Sequence, residues 1–151
     1  MQIRRFGVGN RRPEGPPGST GGETQLIHGD ARGVIAELAF RKGGRIEPHD
    51  NPNSTWFIVI EGGGFVLVGD EERRVAAGEA VLWPAGVTHG ARTEFGPMRA
   101  FVVEFAGPDD TQVLEGIARR LAPGETSAVD KGIGRLADRP AAPPDREGEP
   151  T

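Results

Sequence analysis

The stretch GEAVLWPAGVTH, residues 78–89, has the spacing that decides the fold of this chain. Gly78 is followed after five residues by Pro84, after one more by Gly86, and after two more by His89. Pro84 and Gly86 are typical of a tight turn, because proline fixes φ and glycine adopts conformations that other residues avoid. We therefore expect a strand, a tight turn and a second strand that directs His89 into the interior of the fold.

A second motif with regular spacing ends fifteen residues before the first one begins. It runs from Gly43 to Gly62, and between them lie His49, Asn51 and Thr55. Side chains of a strand alternate between its two faces, so His49 and Asn51 are expected on the same face. The sequence therefore predicts that the histidines of the two motifs converge on one interior point.

The residues around both motifs have the pattern of an all-β domain. Short runs rich in Val, Ile, Phe and Leu alternate with glycine-containing turns from about residue 25 to residue 106. VGDEE at 68–72 and EFGP at 94–97 are typical of hairpin turns. EGGG at 61–64 lacks the Lys-Ser/Thr pair of a phosphate-binding loop, so it also predicts a hairpin.

Both faces of the run TWFIVI, residues 55–60, are apolar. Thr55 and Phe57 point to one side, so Phe57 is a candidate contact for a small molecule inside the fold. Trp56 and Ile58 point to the other side. A strand of this kind has to be covered on both faces, and the second cover is another sheet, the N-terminal segment or a second copy of the chain. We therefore expect a homodimer.

The two ends of the chain differ in composition from its middle. Residues 1–24 and 122–151 are rich in Gly, Pro and charge and have no periodic apolar face, so we expect poorly ordered arms there. Residues 25–106 are expected to form one barrel. In residues 107–121 apolar side chains recur at helical spacing, which predicts one short helix.

Together the two motifs resemble those of the cupin superfamily, and the resemblance extends over residues 43–93. Within that superfamily the chain is similar to the small single-domain cupins with a conserved barrel. The resemblance implies a single conical β-barrel of the jelly-roll type, with a cavity between its two sheets and a dimeric assembly. It also implies that a small molecule binds in this cavity.

The resemblance implies a metal site as well, and here the chain departs from the family. Cupins bind one Fe, Mn, Ni, Zn or Cu ion through two histidines and a glutamate of the first motif and a histidine of the second. His49 and His89 occupy two of these positions, but Asn51 replaces a histidine and Thr55 replaces the glutamate. The replacements are weaker donors and remove the only negative charge. One divalent ion (Fe, Mn, Ni or Zn) held weakly by His49, His89 and Asn51, or no ion at all, fits this sequence.

Two acids could replace the missing carboxylate. Glu47 lies two residues before His49, on the same face if the strand is regular, and Glu104 in the last strand could also face the interior. Asn53 and Thr55 add uncharged donors and acceptors that suit a hydroxylated or carboxylated ligand, although the same residues also occur in solvated loops. The candidate substrate contacts are therefore Glu47, Asn53, Thr55, Phe57 and Glu104.

Composition and charge exclude several classes of function. The chain contains no cysteine, which excludes disulfides and thiolate ligands. A net charge of -4 argues against nucleic acid as a partner. No apolar run is long enough to span a membrane, and the first residues lack the apolar core of a secretory signal. We therefore expect a cytoplasmic protein that binds neither membrane nor nucleic acid.

Two functions from different classes fit these observations. The first is an enzyme with one metal ion at His49 and His89 that carries out dioxygenase-type or isomerase-type chemistry on a small molecule. The second is a metal-free module that binds a small ligand without turnover or acts through dimeric interactions. The fold alone does not choose between them.

Overall fold

The fold is given by a computed structural model, which describes residues 1–13, 15 and 17–108. The helix expected at 107–121 and the arm expected at 122–151 lie outside the described residues, apart from residues 107 and 108. No helix in the described part of the chain is long and apolar enough to cross a membrane. The strands of the described part are β1 (Ser19–Asp30), β2 (Gly33–His49), β3 (Ser54–Val68), β4 (Glu71–Ala76), β5 (Ala80–Trp83), β6 (His89–Arg92) and β7 (Met98–Phe105).

The two longest strands, β2 and β3, close the sheet into a barrel. The N-terminal half of β2 pairs with β7 and its C-terminal end pairs with β6. β3 follows the same plan, with β7 along its first half and β6 along its second. These four strands form a closed antiparallel ring, to which β1, β4 and β5 add. The expected all-β barrel of the jelly-roll type is therefore confirmed.

Each long strand passes from one sheet to the other at glycines, which are Gly43 and Gly44 in β2 and residues 62–64 in β3. Gly43 and Gly62 have φ values of 81° and 71°, a region that other residues rarely adopt. A Cβ atom on Gly62 would also collide with the backbone just before β7. The hairpin expected at EGGG is therefore wrong, because these glycines form a corner within one continuous strand.

Of the two other expected hairpin turns, one is confirmed and one is wrong. VGDEE joins β3 to β4, where Val68 pairs with Glu71 across the turn. EFGP joins β6 to β7, but each of these strands pairs with β2 and β3 and not with the other. The segment is a crossover between the two sheets. Turn residues mark where a chain reverses, but the pairing of the strands depends on contacts elsewhere in the fold.

The interior between the two sheets is filled with apolar side chains. The expected alternation along β3 is present: Thr55, Phe57 and Val59 are buried inside, whereas Trp56 and Ile58 lie on the outer face and are partly exposed. Full burial of a side chain the size of Phe57 stabilises the fold by about 2 kcal/mol. The remaining buried apolar residues are Leu38, Phe40, Ile46, Val66, Val75, Trp83, Ala91, Met98 and Ala100.

The N-terminal segment covers part of the outer face of the sheet formed by β2, β7 and β3. Phe6 packs edge-on against Phe101, with ring centroids 5.5 Å apart. Arg11 donates a hydrogen bond of 2.8 Å to the buried carboxylate of Glu37. The first strand begins inside the segment expected as an N-terminal arm, at residue 19. Pairing with β2 uses backbone groups, so this segment needs no apolar face to join the sheet.

Candidate functional site

His49 and His89 lie opposite each other on adjacent strands at one end of the barrel. His49 ends β2, His89 begins β6, and the register of the two strands pairs them. Their ring centroids are 4.5 Å apart and the rings are inclined at 67°. His89 is 1% exposed and His49 is half-buried, so solvent reaches the pair from the His49 side. The structure thus brings together the histidines of the two sequence motifs.

A β-bulge just before His49 decides which side chains face this pair. Glu47 and Pro48 of β2 lie opposite the single residue Gly90 of β6. Proline has no N–H group for the ladder and is common at such irregularities. The bulge breaks the regular alternation, and Glu47 is exposed and forms an ion pair of 2.8 Å with Arg45. A regular strand would place the side chain of Glu47 on the same face as His49. Because of the bulge, the structure does not bring this side chain to the histidines.

Each imidazole ring is oriented by a carbonyl group of the chain just before it. Nδ1 of His49 lies 2.9 Å from the carbonyl oxygen of Glu47, and Nδ1 of His89 lies 2.9 Å from that of Val87. A carbonyl oxygen can only accept a hydrogen bond, so each Nδ1 carries the proton and donates. In the neutral rings each Nε2 is then left as an acceptor with a free lone pair.

Trp83 is a site residue that the sequence did not predict, because tryptophan is more often a core or interface residue. Its ring stacks on His89 with centroids 4.4 Å apart and an interplanar angle of 13°. It also stacks on Phe57, at 4.8 Å. Phe57 is completely buried, so it supports Trp83 and has no exposed surface for the ligand contact that we expected. The position of Trp83 beside the proline of the second motif was the available signal.

Two buried polar atoms beside the histidines have no hydrogen-bond partner among the described residues. They are Oγ1 of Thr55 and Nε1 of Trp83, and the register of β3 and β5 pairs these two residues. A buried donor or acceptor without a partner costs about 1–3 kcal/mol. Native folds rarely keep such atoms unless a water molecule, an ion or a ligand satisfies them.

Glu104 and Asn53 are engaged with each other at the rim of the barrel. Glu104 lies opposite Thr55 in the β3–β7 ladder and is half-buried. The amide of Asn53 donates to Glu104 at 2.7 Å, and its oxygen accepts from the backbone of Gly107 at 2.9 Å. These bonds tie the loop after β2 to the end of β7. Asn53 and Glu104, which we expected to contact a substrate, therefore both lie near the histidines. Their hydrogen bonds also hold the rim of the barrel together.

Burial lowers the pKa of the His89 imidazole below its ordinary value. The hydrogen bond to Val87 and the carboxylates of Asp50 and Glu104 act in the opposite direction, but burial dominates. His89 is therefore neutral at neutral pH, and its Nε2 is available as a hydrogen-bond acceptor.

The side chains at this site do not fit a resident divalent ion. Asn51 lies in the loop after β2, so the alternation expected for it does not apply, and its Oδ1 accepts a hydrogen bond from the backbone of Asn53 at 2.7 Å. The described residues contain no group of three or more histidines and acids that could hold a metal. His49 and His89 are left as two imidazole ligands, whereas zinc and non-heme iron centres in proteins use at least three protein ligands, often with a carboxylate.

A separate cleft of about 880 Å³ lies away from the histidines. Met98, at the start of β7, lines this cleft, whereas Glu104 near the histidines stands close to the other end of the same strand. Six residues of extended strand correspond to about 20 Å. The cleft and the paired histidines are therefore distinct places on the molecule.

The family model described as a cupin domain matches residues 36–104 of the chain. No curated protein matches this sequence. Three solved structures illustrate the similarity of fold. The polyketide cyclase RemF from Streptomyces resistomycificus is 23% identical, with a TM-score of 0.62 over 73% of this chain and 83% of that one.

A cupin-2 domain protein from Rhodospirillum rubrum is 16% identical, with a TM-score of 0.58 over 73% of this chain and 78% of its own. KdgF from Halomonas sp. is 18% identical, with a TM-score of 0.56 over 68% of this chain and 90% of its own. At these identities the likeness concerns the fold and carries no information about chemistry.

Proposed function

Because this chain belongs to the cupin superfamily through residues 36–104, we propose that it binds a small, neutral, hydroxylated molecule at the mouth of its barrel, beside His49 and His89. The observation that carries the proposal is the pair of buried polar atoms, Thr55 Oγ1 and Trp83 Nε1, that no described residue satisfies. A ligand that hydrogen-bonds to both would remove this cost.

The chemistry of the site favours hydroxyl groups on the ligand. The two Nε2 atoms of His49 and His89 accept hydrogen bonds, the indole of Trp83 donates one, and a threonine hydroxyl does either. A hydroxyl group is both a donor and an acceptor, so it can pair with each of these atoms.

The charges around the site disfavour a carboxylated ligand. Asp50 and Glu104 lie close enough to His89 to affect its pKa, and His89 itself is neutral. Arg45, at the end of β2, is already paired with Glu47 on the outer side of the strand. Among the described residues, a carboxylate at this place would meet two like charges and no unpaired cation, which weakens binding.

Binding of a fragment panel tests this proposal. The panel contains neutral diols and phenols and, for each, a carboxylic acid of similar size, and the readout is the NMR signal of the Trp83 indole N–H. We expect hydroxylated fragments to shift this signal and to bind at least about tenfold more tightly than the matched acids. In Thr55→Val, loss of one hydrogen bond should weaken their binding by about fivefold to tenfold.

The stability of Thr55→Val separates a ligand contact from a structural role. Because Oγ1 has no hydrogen-bond partner among the described residues, the variant should unfold at the same midpoint as the wild type or slightly above it. Thr20→Val, at an exposed position of β1, is the matched control and should change neither binding nor stability. A destabilised Thr55→Val with unchanged fragment binding would contradict the proposal, as would a panel that leaves Trp83 unaffected.

We infer further that the ligand binds without a resident divalent ion, since His49 and His89 are too few donors to hold one. Elemental analysis of protein purified without an affinity tag should find far less than one metal per chain. Stoichiometric Fe, Mn, Ni or Zn would contradict this inference. That result would favour the alternative function, in which a metal ion supports dioxygenase-type or isomerase-type chemistry.

We propose that the protein works as a homodimer in the cytoplasm, and the outer face of the barrel supports the dimer. Apolar side chains form a band on the outer face of β2, β3 and β7, and the N-terminal segment covers only part of it through the contact of Phe6 with Phe101. A second copy that packs against this face would bury the rest. The band consists of Ile35, Trp56, Ile58, Phe101, Val103 and Phe105.

A further inference from the structure

We propose that the cleft at the opposite end of the barrel is a second binding site, which takes an aromatic carboxylate. Its volume of about 880 Å³ lies within the range of small-molecule sites in proteins. This site shares none of its lining with the paired histidines, so it does not depend on the function proposed for them.

Aromatic and apolar side chains form much of the cleft wall. Phe40 and Met98 belong to the buried core and contribute to the wall from inside the barrel. Phe65 and Phe95 add two aromatic rings, and Phe95 is 72% exposed. A phenylalanine so exposed is unusual, and an aromatic ligand that stacks on it would remove apolar surface from water.

Each glutamate of the cleft wall lies within ion-pair distance of an arginine. Glu61 pairs with Arg99 at 3.1 Å, and Glu94 pairs with Arg92 at 3.0 Å. Glu23 lies 3.8 Å from Arg11, whose guanidinium also binds the buried carboxylate of Glu37. The cleft wall as a whole has four arginines and three glutamates, so its net charge is slightly positive and favours an anion.

Two further arginines of the cleft wall, Arg41 and Arg74, are not neutralised. Both side chains are exposed, and neither side chain forms an ion pair or hydrogen bond with another described residue. Arg74 lies opposite Phe65 in the β3–β4 ladder, and the backbone of Arg41 is fixed by a 2.7 Å hydrogen bond from Thr93. Guanidinium groups beside aromatic rings favour a planar ligand with a carboxylate, which they bind in a bidentate manner.

Calorimetric titration of the full chain with naphthalene-2-carboxylate tests this site, and naphthalene-2-methanol is the neutral comparison. The wild type should bind the acid at least about tenfold more tightly than the alcohol, because charge-assisted hydrogen bonds to arginine are the stronger ones. The double variant Arg41→Gln/Arg74→Gln should lose this preference and bind both compounds equally. Phe95→Ala should weaken both compounds to a similar extent.

The matched control is Arg32→Gln/Arg73→Gln, which removes the same charge from exposed arginines outside the cleft. It should bind both compounds as the wild type does. An equal loss of acid binding in the control would overturn the proposal, since the effect would then come from net charge. The absence of acid binding to the wild type would overturn it too. Acid binding that His89→Ala abolishes would place the acid in the barrel mouth and also sink the proposal.

Discussion

At the scale of single residues, the site depends on how two imidazoles are held. His49 and His89 each donate Nδ1–H to the carbonyl group two residues earlier in the chain, which fixes ring orientation and tautomer together. The stack of Trp83 on His89 then removes that ring from water. This arrangement keeps a neutral acceptor at the barrel mouth, and it predicts how His89 responds to acid.

We expect His89 to titrate below the ordinary histidine value of 6.5, because burial opposes its charged form. NMR titration of the imidazole C–H signals measures this pKa, and loss of one signal in His89→Gln assigns it. The variant Trp83→Leu opens the His89 ring to water, so it should raise the pKa of His89 toward the ordinary value. A wild-type pKa at or above 6.5 would contradict the burial argument.

The same shift makes a part of the stability depend on pH. Above the pKa that His89 has in the unfolded state, the imidazole is neutral in both the folded and the unfolded protein, so its burial costs no ionisation energy. Stability from this residue should therefore be complete above about pH 6.5 and fall as the pH drops through the lower folded value.

At the scale of elements, a buried ion cluster joins the N-terminal segment to β2 and β7. Glu37 of β2 is completely buried and accepts hydrogen bonds from Arg11 at 2.8 Å and from Arg99 of β7 at 2.7 Å. Burial by itself would raise the pKa of Glu37, but the hydrogen bonds and charges of the two arginines outweigh it and hold the pKa below its ordinary value.

We expect Glu37→Gln to destabilise the protein by about 3 kcal/mol at neutral pH, because two arginines lose their buried counter-charge. A lowered pKa gives stability that is complete above the unfolded value of 4.5 and is lost as the pH falls through the folded value. The difference between variant and wild type in urea unfolding should therefore shrink below about pH 4. Glu61→Gln, an exposed partner of Arg99, is the control and should cost less than about 1 kcal/mol. Equal stability of Glu37→Gln and wild type at neutral pH would contradict this account.

At the scale of the whole molecule, the closed barrel still presents an apolar outer face. Ile58 lies in the middle of this face and is only partly covered. Monomeric proteins rarely expose a continuous apolar surface. The apolar outer face therefore favours association of two copies of the chain through it.

We expect the wild type to sediment as a dimer and Ile58→Asp as a monomer, since a charge at this position would lose its hydration in the interface. Circular dichroism should show that the variant keeps its β-structure. Ala77→Asp, at an exposed turn after β4, is the control and should remain dimeric. A wild type that sediments as a monomer at micromolar concentration would refute the homodimer.

Most of the barrel could be predicted from the sequence because its signals are local. The spacing from Gly78 to His89, the alternation along TWFIVI and the turn at VGDEE each operate within a dozen residues, and each agrees with the structure. The spacing of the two motifs also predicted that His49 and His89 converge, and the structure pairs them across β2 and β6. These features follow from the conformations that glycine, proline and alternating side chains allow.

The remaining features arise only from residues that are distant in the chain. The corner at Gly62, the crossover at EFGP and the outward turn of Glu47 depend on which strands pair, and no short stretch of sequence contains that information. The stack of Trp83 on His89 and the bond from Arg11 to Glu37 likewise join separate elements. The sequence by itself determined a barrel with two histidines. Tertiary packing decided what surrounds them, because burial and hydrogen-bond partners exist only after the sheets have closed.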